Sequence, residues 1–265
     1  MTPFQLDTIY CGDCAEVMRD WPDECIDLTV TSPPYDSLRA YDGYVFNFEA
    51  IATQLYRITK KGGVVVWVVG DETKNGSESG TSFRQALHFM SLGFNLHDTM
   101  IYHRSSPPLT HNRYEQHFEY MFVLSKEKPK TFNPMKAKKD YHDKRKSRAG
   151  RREADGSYDI MFSGRQDDKI IGNVWNISSG GGISTADHFS YQHPAIFPEA
   201  LARDHILSWS NPDDVILDPM SGSGTTLKIA KELGRHWIGI DISADYCAMS
   251  QRRVDGARVP LPGLV

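Results

Sequence analysis

The sequence predicts an α/β protein with a doubly wound, mostly parallel sheet. Three observations predict it. Segments typical of strands and of helices alternate along the chain. Two of the strand segments are apolar without a clear alternation, as in strands that are buried on both faces. Residues 215–241 form a strand, a glycine-rich turn, a helix and a second strand, which together make a βαβ unit.

The amino-terminal elements can be placed in order. A short strand over residues 6–13 ends at a Gly-Asp pair, and a helix over 14–21 stops before a proline. Residues 25–31 form the first buried strand, and they run directly into the segment 32–35, Ser-Pro-Pro-Tyr. Because two consecutive prolines cannot continue a central strand, the chain must leave the sheet there.

The middle of the chain continues the alternation. A helix over residues 48–60 is closed by glycines, and residues 63–70 (GVVVWVVG) form the most apolar strand. A second helix over 81–93 also ends on glycine. Two further strand segments follow, over 94–104 and 117–125.

Residues 126–190 differ from the rest, since they are basic, rich in Gly and Ser, and weakly periodic. We therefore predict an inserted target-recognition region there, and a main domain formed by 1–125 and 191–265. Regular structure resumes with a helix over 195–209 and a turn at 211–214. The carboxyl-terminal βαβ unit comprises a strand (215–218), a helix (227–234) and a strand (236–241).

Composition excludes several classes of protein. Hydrophobic residues make up 40% and charged residues 24% of the 265 residues, which is typical of a globular chain long enough for one sizeable domain. No apolar run reaches the ~20 residues of a membrane span, and no signal peptide is visible. Four cysteines are too few for a disulfide scaffold, so we expect a reduced, cytoplasmic protein. Cys11 and Cys14 have no second pair at ligand spacing, and no metal site is expected.

Charge is concentrated in one segment. The chain carries a net charge of −4, but residues 136–152 hold nine Lys or Arg against two Asp. A basic segment on an acidic body suits contact with a phosphate backbone, and a solvated loop without a partner explains it equally well. The candidate DNA-binding residues are Lys136, Lys138, Lys139, Lys144, Arg145, Lys146, Arg148, Arg151 and Arg152.

The turn after strand 215–218 predicts a cofactor site. In the segment 218–226 (DPMSGSGTT), Gly222 and Gly224 allow a tight turn and a close backbone approach to a ligand. Asp241 lies nineteen residues after Gly222, a distance at which an acid accepts hydrogen bonds from ribose hydroxyls. The pattern is neither a dinucleotide fingerprint nor a P-loop. It favours a nucleoside-containing cofactor, against the alternative of a plain structural turn.

The Ser-Pro-Pro-Tyr segment predicts a second site at the same edge of the sheet. The prolines stiffen the turn and remove backbone donors, so the Pro33 carbonyl is available to accept a hydrogen bond. Ser32 offers another acceptor, and Tyr35 offers an aromatic face. Two acceptors beside a ring suit a planar base with an exocyclic amino group. The alternative is a rigid loop with Tyr35 in the core.

Together, the segments TSPPY and DPMSGSGTT resemble the DNA amino-methyltransferases, which modify adenine N6 or cytosine N4. The order of catalytic motif, basic stretch and cofactor loop resembles the beta arrangement of that family. Met220 stands where the family has Phe in FxGxG. The resemblance implies a Rossmann-like methyltransferase fold, S-adenosyl-L-methionine as cofactor and double-stranded DNA with a flipped base as substrate. It leaves open a homodimer and a cognate restriction endonuclease.

The resemblance also implies roles for single residues. Ser at the first motif position goes mostly with cytosine N4 and Asp mostly with adenine N6, so Ser32 favours cytosine, with adenine as the alternative. Rival functions are an RNA methyltransferase and a catalytically silent DNA-binding protein. The expected catalytic residues are Ser32, Pro33, Pro34 and Tyr35. The expected cofactor residues are Asp13, Cys14, His193, Asp218, Met220, Ser221, Gly222, Gly224, Thr225, Thr226, Asp241 and Ile242.

Overall fold

The computed structural model describes residues 3–34, 46–104, 113–138, 147–163, 168–178, 180, 182–193 and 195–258. The chain divides into two compact units, one formed by residues 1–133 with 173–265 and the other by 134–172. The second unit is narrower than the segment 126–190 that composition singles out. The reason is that the strand at 174–177 pairs with a strand of the main sheet.

Fourteen strands are found in the described part of the chain. They are β1 (Thr8–Cys11), β2 (Ile26–Thr31), β3 (Thr59–Val69), β4 (Thr73–Lys74), β5 (Ser77–Glu78), β6 (Asn95–Arg104), β7 (Phe118–Ser125), β8 (Lys136–Lys138), β9 (Ser147–Arg152), β10 (Tyr158–Ser163), β11 (Asp168–Ile170), β12 (Val174–Ile177), β13 (Val215–Asp218) and β14 (His236–Asp241).

Eight of these strands form the central sheet in the order β1-β14-β13-β2-β3-β7-β6-β12. Only β7 runs antiparallel to its neighbours β3 and β6, and the other five adjacent pairs are parallel. The prediction of an α/β fold with a mostly parallel sheet is therefore confirmed. Since β1, β2, β3, β13 and β14 are parallel, their carboxyl ends lie at one edge of the sheet.

Six α-helices lie along the described chain. They are α1 (Cys14–Arg19), α2 (Phe48–Ile58), α3 (Thr81–Ser91), α4 (Glu199–Trp209), α5 (Thr225–Glu232) and α6 (Ala244–Asp255). Helix α2 contacts both α1 and α3, and helix α5 contacts both α4 and α6. This grouping is typical of a doubly wound sheet with helices on both faces.

The main hydrophobic core lies where the first group of helices packs on the central strands. Trp67 of β3 is completely buried, and its ring makes an edge contact with Phe89 of α3 at 5.1 Å. The Trp67 indole N–H donates a 2.8 Å hydrogen bond to Gln85, so this large side chain is buried without an unsatisfied donor. The consecutive apolar residues 64–69 of β3 are all buried, as expected for a strand with both faces covered.

Several elements differ from the sequence prediction, and two helices show why. Helix α4 begins at Glu199 and not at residue 195, because Pro198 occupies its N-cap and the residue before a proline disfavours the helical conformation. Helix α6 was not predicted, although Ser243 caps it by accepting a 3.4 Å hydrogen bond from the Tyr246 N–H. Its low apolar content hid its periodicity.

The smaller unit, described by itself, contains two pairs of antiparallel strands. β9 pairs with β10 from Ser147 opposite Ser163 to Arg152 opposite Tyr158. β8 pairs with β11, and its residues Lys136 and Lys138 are exposed. Within the described residues, no helix is long and apolar enough to cross a membrane.

Candidate active site

The candidate site lies where the direction of chain crossover reverses. From β2 the chain passes through α2 to β3 on one side, and from β13 it passes through α5 to β14 on the other. β2 and β13 are adjacent and parallel, with Leu28 paired to Ile216. A sheet opens a crevice beyond the carboxyl ends of its strands at such a switch point, and ligands bind there.

A cavity of about 860 Å³ occupies this edge of the sheet. Ser32, Pro33 and Pro34 line it directly after β2, and Met220 and Ser221 line it after β13. The two segments that the sequence analysis singled out, 187 residues apart at Thr31 and Asp218, therefore border the same space. Tyr35 lies outside the described residues.

A side-chain hydrogen bond joins these two segments at the strand ends from which they start. The Thr31 hydroxyl donates a 2.7 Å hydrogen bond to Asp218 Oδ1, and the Met220 N–H donates to the same oxygen at 3.2 Å. Burial raises the pKa of Asp218 to about 6, although the hydrogen bond from Thr31 acts in the opposite direction. Thr226 of α5 donates to the Val30 carbonyl at 3.1 Å, which ties the helix to β2 as well.

The cofactor loop is a tight turn between β13 and α5. Gly224 has φ +80°, and its N–H donates a 2.7 Å hydrogen bond to the Ser221 carbonyl. Gly222 has φ +48°, and a Cβ placed on it would lie 2.7 Å from His193 Nε2. A Cβ placed on Gly224 would lie 2.8 Å from Ser250 Cα, so both glycines are required by conformation and by space.

Asp241 holds this loop through its carboxylate. Its Oδ2 accepts the Gly222 N–H at 2.8 Å, and its Oδ1 accepts the Ser243 N–H at 2.9 Å. Burial raises the pKa of Asp241. Each oxygen keeps a second lone pair, so the carboxylate can still accept a hydroxyl donor from the cavity that it lines. The sequence pattern predicts a ribose contact for Asp241, but it carries no signal for the role of this carboxylate in shaping the loop.

His193 lines the cavity and lies against the cofactor loop. The ring is buried, and its Nδ1 lies 2.8 Å from the Ala195 carbonyl oxygen. The Ala195 N–H also lies 3.2 Å from Nδ1, so both backbone polar groups of Ala195 hold the ring in place beside Gly222. The ring also packs edge-on against Tyr246 at a centroid distance of 4.5 Å.

The structure brings most of the expected cofactor residues to the cavity wall. Gly224 and Thr226 are exceptions among the described residues, since neither borders the cavity. Cys14 is buried, and burial raises the pKa of its thiol to about 12, which excludes a thiolate there. The residues on the wall are Asp13, Cys14, His193, Asp218, Met220, Ser221, Gly222, Thr225, Asp241 and Ile242.

The other half of the cavity is lined by strands β6 and β7 and by the segment that follows β3. Its wall includes the aromatic residues Tyr102, Phe118 and Tyr120, next to an ion pair of 3.0 Å between Arg104 and Glu119. Sequence reasoning did not find these residues, because the antiparallel strand β7 brings its amino-terminal end to this edge. Aromatic walls are suited to a flat ring.

The cavity wall is acidic. Among the described residues that line it, Arg104 is the only Lys or Arg, whereas seven carboxylates border the same space. They are Asp13, Asp71, Glu72, Glu78, Glu119, Asp218 and Asp241. Such a wall favours a cationic ligand and disfavours a phosphate. No cluster of His, Cys, Asp and Glu suited to a metal ion is present in the described part of the chain.

The expected DNA-binding residues lie in the smaller unit. Lys136 and Lys138 are on β8, and Arg148, Arg151 and Arg152 are on β9. The remaining four, Lys139, Lys144, Arg145 and Lys146, lie outside the described residues.

Comparison with known proteins places the chain in a family. Residues 26–252 match the family model N6_N4_Mtase, described as "DNA methylase". The chain belongs to this DNA methylase family. It is 54% identical over 249 residues to the orphan methyltransferase M.BamHII of Bacillus amyloliquefaciens, and the match covers 92% of this chain and 90% of that protein.

Solved structures of low sequence identity share the fold of this DNA methylase. PvuII DNA methyltransferase (cytosine-N4-specific) has a TM-score of 0.67 at 22% identity, over 97% of this chain and 87% of its own. TTHA0409 from Thermus thermophilus, complexed with S-adenosyl-L-methionine, has a TM-score of 0.64 at 22% identity, over 97% and 95%. The expected methyltransferase fold is therefore confirmed.

Proposed function

We propose that this DNA methylase transfers a methyl group from S-adenosyl-L-methionine to the exocyclic N4 of a cytosine flipped out of double-stranded DNA. One observation supports this more than any other. The acceptor-rich Ser32-Pro33 turn and the glycine-rich loop after Asp218 border one cavity at the switch point of the sheet. A methyl donor and a methyl acceptor must meet in one space, and this arrangement provides it.

The residues present fit the cofactor. Ser221 is buried on the cavity wall, and its hydroxyl has no hydrogen-bond partner among the described residues, so it is available to a ligand. The acidic wall suits the sulfonium and ammonium charges of S-adenosylmethionine. Asp241 would accept the ribose hydroxyls, and Met220 would cover the adenine. The helix start at Thr225 would face the carboxylate of the methionine moiety.

The turn after β2 would prepare the amino group for attack. When bound, the cofactor supplies a methyl group made electrophilic by its sulfonium. Hydrogen bonds from the two amino protons to the Ser32 hydroxyl oxygen and the Pro33 carbonyl would localise the nitrogen lone pair. They would also direct it toward the methyl group. The stiffness of the Pro33-Pro34 pair keeps these acceptors in place without reorganisation.

Cytosine is proposed over adenine because of Ser32. In the family that the motif resembles, Ser at this position goes mostly with cytosine N4 and Asp mostly with adenine N6. A hydroxyl both donates and accepts, so it can serve the amino group and the ring nitrogen acceptor next to it, which both bases have. Tyr35 would stack on the flipped base. The family description does not separate the two bases, and the alternative of adenine N6 is an outcome of the test below.

DNA would be bound through the smaller unit and its surroundings, residues 126–190. The nine basic residues between 136 and 152 would neutralise backbone phosphates and release counterions, which makes binding dependent on salt. Because the cavity wall is acidic, phosphates would be kept out of the catalytic pocket while the base is admitted.

The test is incubation of the purified protein with mixed-sequence duplex DNA and S-adenosylmethionine, followed by nucleoside mass spectrometry. N4-methylcytosine is the expected product. N6-methyladenine would keep the enzyme class and contradict the base assignment. Transfer to RNA with none to DNA would contradict the proposed substrate.

Ser32→Ala provides the matched test of mechanism. We expect kcat to fall by about a hundredfold, while the Kd for S-adenosylmethionine stays within about twofold of the original value. Ser91→Ala, at the end of α3 and away from the cavity, should leave both quantities unchanged. Unchanged turnover in Ser32→Ala would remove this residue from the mechanism.

A further inference from the structure

Helix α6 presents one face to the cofactor loop. Tyr246, Ser250 and Arg253 follow the i, i+4, i+7 spacing that places side chains on one side of a helix. Tyr246 packs against His193, and the Ser250 hydroxyl donates a 2.9 Å hydrogen bond to the Gly222 carbonyl. The whole face therefore contacts elements that border the cavity.

Arg253 makes the most extensive of these contacts, and its side chain is fully buried. Its Nη1 donates to the Ser223 carbonyl at 3.1 Å and to the Thr225 hydroxyl at 2.8 Å. Its Nε and Nη2 donate to Asp187 Oδ2 at 3.0 Å and Glu199 Oε1 at 2.7 Å. One guanidinium thus joins α6, α4, the segment before the 3₁₀ helix His188–Gln192 and the cofactor loop.

These bonds orient the peptide groups of the loop. Side chains of α6 hold two successive carbonyls, since Gly222 O accepts from Ser250 and Ser223 O accepts from Arg253. A trans peptide is planar, with its N–H opposite its C=O. The N–H groups of Ser223 and Gly224 therefore point away from α6.

Lys228 of α5 provides an internal comparison. It bonds the same two carboxylate oxygens as Arg253, Asp187 Oδ2 at 2.8 Å and Glu199 Oε1 at 2.9 Å. Burial would raise the pKa of Glu199, but hydrogen bonds from Thr185 and Lys228 hold it below its ordinary value. Both cations thus face ionised carboxylates, and in the described contacts only Arg253 also reaches the loop carbonyl at Ser223.

Stability alone does not explain an arginine at this position. Removing a buried ion pair from water costs about as much as its attraction returns, so apolar side chains in place of Arg253 and its carboxylate partners together would serve equally well. A planar guanidinium, by contrast, places several donors in a fixed geometry. That property is useful where a loop must keep one shape.

We propose that Arg253 is a positioning residue that holds the cofactor loop in the conformation that binds S-adenosylmethionine. The inference rests on the proposed function, and it assigns to α6 a role outside the motifs recognised in the sequence. Arg253 acts through the loop and does not itself line the cavity among the described wall residues.

The test compares Arg253→Lys with Lys228→Met by isothermal titration calorimetry of S-adenosylhomocysteine, with the melting temperature measured in parallel. Arg253→Lys keeps the charge and loses the fork of donors, and we expect its Kd to rise about tenfold. Lys228→Met loses a charge next to the same carboxylates, and we expect its Kd to change by less than about threefold. Ser250→Ala, which releases the Gly222 carbonyl, should weaken binding in the same direction as Arg253→Lys.

Steady-state kinetics adds a second measurement. For Arg253→Lys we expect a higher KM for the methyl donor, with kcat at saturation within about twofold of the original enzyme. The inference is overturned if Arg253→Lys binds as tightly as the original protein, or if both variants weaken binding in proportion to their melting temperatures. Failure of the original protein to bind S-adenosylhomocysteine would contradict the proposed function itself, which separates the two failures.

Discussion

Thr31 donates a 2.7 Å hydrogen bond to the carboxylate of Asp218, and both side chains are buried. Thr31 ends β2 and Asp218 ends β13, the two adjacent strands at the switch point of the sheet. The bond therefore fixes the distance between the points at which the Ser-Pro-Pro turn and the glycine-rich loop leave the sheet. Methyl transfer depends on the relative position of these two segments, which this bond at the ends of β2 and β13 sets.

Thr31→Val tests this link with nearly constant volume. It leaves a buried carboxylate with one partner fewer, and we expect the free energy of unfolding to fall by about 1–3 kcal/mol. We also expect kcat to fall, because the two halves of the site lose a constraint. Denaturant unfolding and steady-state methylation provide the two measurements.

Thr29→Val on the same strand is the matched control. Thr29 is completely buried, and its hydroxyl has no partner among the described residues. Its replacement should be neutral or slightly stabilising and should leave kcat unchanged. Equal effects of the two substitutions would show that Thr31 contributes only packing.

The sequence alone was sufficient to predict the parallel sheet and the position of both motifs at its edge. Buried strands such as residues 64–69 carry an unbroken apolar signal, and a glycine-rich turn between a strand and a helix restricts the backbone strongly. These signals are local, so no knowledge of distant residues is needed to interpret them.

The supporting contacts were beyond prediction because they are not local. Arg253 lies 30 residues from Ser223 and 66 from Asp187, and nothing in the pattern around it distinguishes it from a surface arginine. Thr226 shows the converse: it is part of the loop motif, but its hydroxyl donates to the Val30 carbonyl and it does not border the cavity. A motif specifies a backbone shape, whereas tertiary packing decides which side chains face the ligand.

Gly222→Ala is expected to abolish cofactor binding. The residue has φ +48°, and the new Cβ would lie 2.7 Å from His193 Nε2, a distance too short for a nonbonded contact. His193 would have to move, although its Nδ1 is bonded to Ala195 and its ring packs on Tyr246. Equilibrium dialysis with labelled S-adenosylmethionine measures the loss.

Gly234→Ala separates backbone strain from space. Gly234 has φ +71°, and a Cβ there would meet no atom within 4 Å. Both substitutions cost about 1 kcal/mol in backbone strain, but only Gly222→Ala should weaken cofactor binding. Similar binding by both variants would contradict the role assigned to the contact between Gly222 and His193.

Cofactor affinity should depend on the ionisation of Asp218. Burial raises its pKa to about 6, so the carboxyl becomes protonated as the pH falls through that value. A cationic cofactor prefers the ionised form, and we expect its Kd to rise below about pH 6. Thr31→Val removes a hydrogen bond that lowers the pKa and should move the transition to higher pH, whereas Asp218→Asn should flatten it.

The stability of the fold should fall in mild acid because of His205. Burial lowers the pKa of this completely buried imidazole from 6.5 to about 3, and its ring packs against Trp175. The unfolded chain binds the proton at higher pH than the folded one, so the contribution is fully present above pH 6.5. This contribution is lost as the pH falls from there toward about 3, and the loss of unfolding free energy amounts to about 2 kcal/mol at about pH 5.

In His205→Leu this part of the decline should disappear from urea unfolding measured at several pH values. In His188→Leu, which replaces an exposed histidine, it should persist. An unchanged decline in His205→Leu would assign the acid sensitivity to other groups.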